Sequence, residues 1–253
     1  MEGGSATSPL RVRELELDRQ YGVEIAAEPR SFAADMHTGP AANAPLREDE
    51  VPTQGLYVRA GKRAFDLAFS AAFLLLIGLW LFPLVAIAIR VNSRGPVFFR
   101  QKRVGIDGQT FTCFKFRTMA HDPSAGFVQA QKNDCRITRV GALLRRTNLD
   151  EIPQFMNVLL GNMSVIGPRP HVPELDAVFK DVIPLYSLRN AVKPGVSGLA
   201  QVSGCRGETR SVREMNHRVR FDLFYCRNVS LALDAKLVLL TILRAVQGDE
   251  KAY

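Results

Sequence analysis

The chain has 253 residues, of which 23% are charged, and its formal net charge is +8. This length accommodates one domain with attached tails, or at most two small domains. The positive charge suits nucleic acid, anionic lipid headgroups or phosphorylated substrates, and it does not choose among them. The cysteines form no C-x-x-C pair, so a zinc site is not expected.

Residues 1–54 are rich in Ala, Pro, Gly, Glu and Arg and show no sustained hydrophobic periodicity. Such a stretch cannot bury enough apolar surface to offset the entropy that ordering would cost. We therefore expect a mostly disordered N-terminal tail over residues 1–54.

A strongly apolar segment follows the tail. No charged residue occurs between Leu67 and Ile89, and a helix of this length would be about 35 Å long, enough to cross the hydrocarbon core of a bilayer. The alternative is a buried helix of a soluble core, but such helices rarely run this long without a polar face. The segment with its flanks, residues 55–94, is predicted to be embedded in a membrane.

The flanks and one proline indicate how this segment enters the bilayer. Both flanks are basic, and positive charge marks the cytoplasmic side of a membrane. Pro83 removes one backbone hydrogen bond and bends the helix. We predict a re-entrant hairpin that dips into one leaflet and returns, with Pro83 at the break, rather than a Pro-kinked helix that crosses.

The remaining residues, 95–253, show the signals of a mixed domain. Asp107-Gly108 lies between two β-prone runs and predicts a hairpin. Apolar periodicity predicts helices over residues 137–146 and 151–160, followed by Pro/Gly turns in GPRP and KPGVSG. A last apolar helix is predicted over Leu231–Val246, where it either closes the core or lies along the bilayer surface.

Two adjacent carboxylates are the first candidates for chemistry. Thr147-x-x-Asp150 and Asn148-x-x-Glu151 both resemble a capping box, which predicts that Asp150 and Glu151 lie in the first turn of a helix. With Arg145 just before them, the pair could hold a metal ion and a phosphate together. Ordinary helix capping is the alternative.

Basic residues favour the phosphate interpretation. Lys115 and Arg117 alternate along a predicted strand, so their side chains share one face. Arg169 lies between two prolines, in a stiff turn that would fix a guanidinium for bidentate phosphate binding. Lys193 precedes a similar Pro-Gly turn. Together with the acidic pair and the membrane segment, these residues indicate that a diphosphate is handled at a bilayer surface.

Five motifs in order give the chain a recognisable pattern. They are Lys62-Arg63-x-x-Asp66, GPVFFRQKRVG, KFRTM, LDEIPQFMNVLLGNMSVIGPRP and KPGVSGLAQVSG. From about Tyr57 onward the chain resembles the bacterial sugar transferases, the monotopic polyprenyl-phosphate phosphoglycosyl transferases. Within that family, GNMSVIGPRPHVPE is similar to the enzymes that start exopolysaccharide repeat units in rhizobia.

This resemblance implies a fold and a location. The fold class would be α+β, mostly helical, with a small cytoplasmic catalytic domain over residues 95–253, amphipathic surface helices and a re-entrant, non-crossing N-terminal membrane helix. Relatives often carry a Ser-Pro pair at the helix break, where this chain has Phe82-Pro83. The expected location is the bacterial inner membrane, with the catalytic domain on the cytoplasmic face.

The resemblance also implies an Asp-Glu dyad, which falls on Asp150-Glu151, and a Mg²⁺ cofactor. Asp150 would attack the sugar-bearing phosphate of a UDP-sugar and expel UMP, and polyprenyl phosphate would then take the sugar phosphate from the aspartate. Glu151 would serve the metal, with Asp150 as a second ligand. The residues assigned to substrate phosphates are Lys115, Arg145 and Arg169, with Arg117, Lys193 and Gln201 as weaker candidates.

The expected partners are a UDP-sugar (UDP-glucose or UDP-galactose), polyprenyl phosphate and membrane lipids. No helix-turn-helix or RNA-binding signature occurs, so no nucleic acid partner is expected. A homodimer and contacts with downstream glycosyltransferases are left open. The alternatives in other classes are a membrane-anchored binding protein without chemistry and an inactive component of a polysaccharide export complex.

Overall fold

The computed structural model describes residues 57–120, 134–205, 207, 209 and 211–247. The predicted N-terminal tail lies outside the described residues. Within these ranges the protein is mostly helical and carries two small two-stranded sheets. The predicted α+β, mostly helical class is therefore confirmed.

A single long helix, Lys62–Asn92, contains the predicted membrane segment. It consists of α1 (Lys62–Phe73), a π-helical turn (Leu74–Gly78) and α2 (Leu79–Asn92), and a further π-helical turn over Tyr57–Gly61 precedes it. Pro83 lies inside α2. Every residue of the segment is helical, so it forms one helix of about 46 Å rather than two arms joined by a loop. How it enters a bilayer stays a prediction.

The long helix packs against the rest of the protein along one face only. The Phe73 ring lies 4.4 Å from the Phe155 ring, and the Phe82 ring lies 5.2 Å from the Phe116 ring, centroid to centroid. The opposite face carries apolar side chains that are 56–83% exposed. These are Leu75, Leu76, Leu79, Trp80, Leu84, Ile87 and Val91. An uncovered apolar face of this kind is typical of a helix that contacts lipid.

The predicted hairpin is confirmed. Strands β1 (Phe98–Val104) and β2 (Thr110–Phe116) pair antiparallel. The turn between them places Asp107 at φ 53° and Gly108 at φ 75°. Aspartate and glycine are among the residues that adopt such left-handed backbone angles most readily, which is why this pair marks the turn.

The acidic pair lies in the first turn of a short 3₁₀ helix, not of the α-helix predicted over residues 151–160. Helix α3 (Arg139–Arg146) is followed by a 3₁₀ turn over Leu149–Glu151 and then by α4 (Gln154–Leu159). Asn148 adopts φ 56° and makes no side-chain cap, and the Thr147 hydroxyl donates instead to carbonyls at the end of α3. The predicted capping boxes are therefore wrong, since a left-handed residue separates the two helices.

A second sheet that the sequence did not indicate forms beside the two Pro/Gly segments. Strand β3 (Ser164–Ile166) pairs parallel with β4 (Gly195–Ser197). A Cβ on Gly195 would lie 2.1 Å from the Gly167 nitrogen, so only glycine permits this approach. The turn that follows β3 is thereby fixed against the turn that precedes β4.

Helices complete the domain. Leu237 of the last helix is 1% exposed, whereas Leu239 of the same helix is 58% exposed, so this helix both closes the core and presents an apolar face. The remaining elements are α5 (Pro173–Val182), a 3₁₀ turn (Tyr186–Ala191), α6 (Leu199–Val202), α7 (Val212–Arg227) and α8 (Leu231–Gln247).

A buried carboxylate joins the start of the long helix to the last two helices. Asp234 is fully buried and accepts hydrogen bonds from Tyr57 Oη at 2.6 Å, Lys62 Nζ at 2.8 Å and Tyr225 Oη at 2.7 Å. Asp66 accepts from the Ser164 hydroxyl and the Val165 amide, each at 2.9 Å. These bonds satisfy groups that would be costly to bury alone.

Replacing Asp234 by alanine is expected to lower the free energy of unfolding by about 3–5 kcal/mol, because it removes the buried carboxylate that accepts hydrogen bonds from Tyr57, Lys62 and Tyr225. Thermal unfolding of the purified protein in detergent measures the effect. Lys236→Ala, at an exposed position of the same helix, is the control and should change stability by less than about 0.5 kcal/mol. Equal stabilities of the two variants would contradict this role.

Candidate active site

The Glu151 carboxylate lies between two cationic side chains. Its Oε1 accepts from Lys115 Nζ at 2.7 Å and from Arg169 Nη2 at 2.6 Å. Its Oε2 accepts from Arg169 Nη1 at 3.0 Å, so the arginine binds both carboxylate oxygens. Charge-assisted bidentate pairs of this kind fix geometry as well as charge.

The turn that presents Arg169 is fixed through its own backbone. Arg189 Nη2 donates to the Arg169 carbonyl at 2.6 Å, and Arg103 Nη1 donates to the Pro170 carbonyl at 3.0 Å. Arg189 is held in turn by the buried Asp222 carboxylate at 2.8 Å. Asp222 is therefore a positioning residue for this turn, connected to Glu151 through Arg189 and Arg169.

Asp150 differs from its neighbour in having no stabilising partner. It is half-buried, and its carboxylate makes no hydrogen bond or ion pair with any described residue. Loss of solvation and the adjacent Glu151 charge raise the pKa of Asp150 to about 6, against the opposing charges of Lys115, Arg145 and Arg169. A carboxylate that is desolvated and unpaired retains its nucleophilic lone pairs, and it is ionised at neutral pH.

Glu151 shows the opposite shift. Burial by itself would raise the pKa of Glu151, but the charges and hydrogen bonds of Arg169 and Lys115 outweigh burial and hold the pKa well below its usual range. Two neighbouring carboxylates with pKa values displaced in opposite directions have different chemical roles. Within this pair, the ionised form of Glu151 is stabilised by its cationic partners, whereas that of Asp150 is destabilised by burial and by the Glu151 charge.

Arg145 completes the set of predicted residues that the structure brings together. It lies in the last turn of α3, and its Nε donates to the Thr118 hydroxyl at 2.9 Å. Its charge acts on Asp150 in the direction that favours ionisation. Lys115, Arg145 and Arg169 thus surround the acidic pair, as the sequence predicted.

Three weaker candidates lie elsewhere. The Arg117 guanidinium donates to oxygens of Ser93 and Arg94 at the end of the long helix, at 2.7–3.0 Å, so it does not share the direction of Lys115. Lys193 lies near Arg63. Partial burial, and secondly the charge of Arg63, lower the pKa of Lys193. Gln201 is buried and donates to the Val196 carbonyl at 3.1 Å.

Sequence reasoning assigned no role to Arg103. With Lys115 and Arg169, this arginine lines a small pocket next to Glu151. The sequence marked Arg103 only as a member of the GPVFFRQKRVG motif, and the motif does not indicate where the side chain points. Its partner in the hairpin register is Phe111, on the strand that carries Lys115. The other lining residues of the pocket are Cys113, Gln154 and Pro170.

The acidic pair has capacity for a hard cation. Within the described ranges no group of three or more His, Cys, Asp or Glu side chains is placed to hold a metal ion. Both oxygens of Asp150 and one lone pair of Glu151 Oε2 are free of described partners. Mg²⁺ suits such a site, because it keeps several waters and uses one or two carboxylates together with substrate phosphate.

Comparison with known proteins identifies the family of this chain. The family model for bacterial sugar transferases matches residues 57–248. This chain belongs to the bacterial sugar transferase family. The match contains the long helix, the hairpin and every residue of the site described above.

The curated relatives that this chain matches include glucose-1-phosphate transferases and an exopolysaccharide production protein. It is 48% identical over 185 residues, 72% of its length, to the UDP-glucose:undecaprenyl-phosphate glucose-1-phosphate transferase of Xanthomonas campestris pv. campestris, of which the match covers 38%. It is 43% identical over 186 residues, 72% of its length, to the exopolysaccharide production protein PSS of Rhizobium leguminosarum bv. phaseoli, of which 92% is covered. The chain thus spans less than half of the first relative.

A third relative differs in its sugar. The UDP-N-acetylgalactosamine-undecaprenyl-phosphate N-acetylgalactosaminephosphotransferase of Aeromonas hydrophila is 41% identical over 164 residues, covering 64% of the chain and 38% of the relative. Similar identity to relatives named for different sugars means that overall identity does not fix the sugar.

The opposite pKa shifts of the acidic pair predict opposite effects on stability. Because the folded-state pKa of Asp150 is raised, its contribution to stability is present below pH 4 and is lost as the pH rises through about 6. At pH 7.5, Asp150→Asn should therefore raise the free energy of unfolding by about 1–2 kcal/mol, after allowance for partial solvent screening.

Glu151→Gln is the matched isosteric control. It removes a carboxylate whose pKa is lowered by its cationic partners, and it should lower the free energy of unfolding by about 3 kcal/mol. Chemical or thermal unfolding of both variants in the same detergent measures the two changes. Shifts of the same sign would contradict the assignment of distinct electrostatic environments.

Proposed function

We propose that this protein transfers glucose 1-phosphate from UDP-glucose to undecaprenyl phosphate, the first membrane step of exopolysaccharide synthesis. The observation that carries the proposal is the unpaired Asp150 carboxylate beside Glu151, which Lys115 and Arg169 hold in place. Neither a pure binding protein nor an inactive scaffold requires a desolvated carboxylate among phosphate-binding cations.

In the first step, an oxygen of Asp150 attacks the phosphorus that carries the sugar. A new bond forms between this oxygen and phosphorus, the bond from phosphorus to the bridging oxygen breaks, and UMP departs with the electron pair. The product on the protein is a glucose-phosphoryl aspartate. Arg145 and Arg169 bind oxygens of the transferring phosphoryl group, whose negative charge is dispersed in the transition state.

In the second step, undecaprenyl phosphate attacks the same phosphorus and releases the Asp150 carboxylate. The division into two steps spares the site from holding two anionic substrates in line at once. The raised pKa of Asp150 marks a carboxylate whose ionised form is destabilised by its surroundings, which makes it a reactive nucleophile.

Asp150 and Glu151 Oε2 would hold Mg²⁺ together with the donor diphosphate. The metal would supply charge neutralisation at the transferring phosphoryl group. Glu151 is suited to this role because the charges and hydrogen bonds of Arg169 and Lys115 hold its pKa well below the usual range.

The names of the relatives support glucose as the sugar. The Xanthomonas relative is named for UDP-glucose, as are the relatives from Klebsiella pneumoniae and Escherichia coli. Galactose, the second expectation from sequence, has no counterpart in these names. Sugar choice is therefore the part of the proposal that requires a panel of donors.

We propose that both ends of the long helix lie on the cytoplasmic face of the inner membrane. Arg63, near its start, donates to the Val158 and Leu159 carbonyls at 2.6 and 3.0 Å. Asn92, at its end, accepts from the Val140 amide at 3.1 Å. Contact of both helix ends with the same charged domain supports a location of both ends on one side of the bilayer.

Cysteines introduced at Ala60 and Arg94, in a Cys135→Ser background, test this topology. An impermeant maleimide should label neither position in intact spheroplasts and both in inside-out vesicles. The background variant without added cysteines is the control. Labelling of a single position from outside would establish a crossing helix.

UMP release from a panel of UDP-sugars tests the reaction. With Mg²⁺ and undecaprenyl phosphate, UDP-glucose should be the preferred donor, and Asp150→Asn should lower the rate by at least about a thousandfold. Since the nucleophile must be ionised, kcat/KM should fall as the pH drops through about 6.

Omission of the lipid acceptor provides a second readout. Wild-type protein should then retain a labelled sugar phosphate that Asp150→Asn does not retain. Turnover by Asp150→Asn at the wild-type rate would exclude the aspartyl intermediate. If no donor releases UMP, the membrane-anchored binding protein replaces the enzyme as the better interpretation.

A further inference from the structure

The charges of the site leave one arginine without a function in the proposed reaction. Lys115 and Arg169 both form ion pairs with Glu151. Arg103 also lines the pocket, and no described carboxylate forms an ion pair with it. The pocket therefore carries excess positive charge at Arg103.

The Arg103 guanidinium has unused hydrogen-bonding capacity. Its Nη1 donates to the Pro170 carbonyl and its Nη2 donates to Gln101 Oε1 at 2.6 Å. Its Nε is buried and has no partner among the described residues. Burial, and then the charge of Arg169, lower the pKa of Arg103 to about 10, as expected of a cation that lacks a compensating anion.

The position of Arg103 separates it from the membrane side of the site. Strand β1 begins at Phe98, whose ring lies 6.2 Å from that of Phe82 on the long helix. Arg103 is five residues further along, about 17 Å at the usual rise of a strand. By contrast, Arg145 follows Leu144, which packs in the cluster that contains Val85 of the long helix.

We propose that Arg103 binds the nucleotide-side phosphate of the donor, the group that departs as UMP. The proposal rests on the transferase function proposed above. In the first step the bridging oxygen keeps the electron pair of the broken bond, so negative charge accumulates on this phosphate. A partly buried guanidinium beside it stabilises that charge, whereas Arg145 and Arg169 serve the sugar-bearing phosphate.

The test compares UMP binding among three variants of the full chain in detergent or nanodiscs. Arg103→Ala should weaken UMP binding about tenfold to a hundredfold, the usual effect of losing a charge-assisted hydrogen bond to a phosphate. Arg103→Lys should lose less, because it keeps the charge without the planar fork. Lys102→Ala, an exposed position on the other face of β1, should bind UMP as wild type does.

Two further measurements separate this role from a structural one. If Arg103→Ala displaced the turn that carries Arg169, the Asp150 pKa would change, because Arg169 contributes to it. We expect the acid limb of kcat/KM to stay near pH 6 in both Arg103 variants. We also expect the KM for undecaprenyl phosphate to change less than twofold.

Each result decides between named alternatives. Unchanged UMP affinity in Arg103→Ala, or a loss equal to that in Lys102→Ala, overturns the proposal. A raised KM for undecaprenyl phosphate with normal UMP affinity assigns Arg103 to the lipid phosphate and also overturns it. Failure of the transferase function is distinguishable, because wild-type protein would then bind UMP without releasing it from any donor.

Discussion

The bidentate pair between Arg169 and Glu151 is the interaction on which the site depends. It joins the turn after β3 to the 3₁₀ turn after α3. Lys115, on strand β2 of the hairpin, donates to the same Glu151 carboxylate. Three segments far apart in sequence thus meet at one anion. Because both cations are engaged with Glu151, the neighbouring Asp150 keeps an unpaired carboxylate, and burial together with the Glu151 charge raises its pKa.

The surrounding residues fix the position of this pair relative to the long helix. Glycines in the turns after β3 and before β4 let the two backbones approach closely, while Asp222 and Arg189 hold the Arg169 carbonyl. On the other side, Asp234 joins the start of the long helix to α7 and α8. The reacting groups are therefore held at a fixed position relative to an apolar face, which suits a reaction between a water-soluble donor and a lipid acceptor.

The sequence predicted those parts of the protein that depend on local pattern. The apolar segment, the Asp107-Gly108 hairpin and the last helix follow from composition and periodicity within short windows, and the structure agrees with all three. The grouping of Asp150 and Glu151 with Lys115 and Arg169 was also predicted, because the residue types themselves indicate phosphate chemistry.

Other features were decided only by tertiary contacts. Alternation along a strand placed Arg117 beside Lys115, but β2 ends at Phe116 and the Arg117 guanidinium turns to the end of the long helix. The sequence also did not predict the opposite pKa shifts of Asp150 and Glu151. Nor did it predict that Arg103 lines the pocket. Local sequence determines which residues are chemically able to act, whereas burial and charge pairing arise between segments distant in sequence, and these set the direction and ionisation of each side chain.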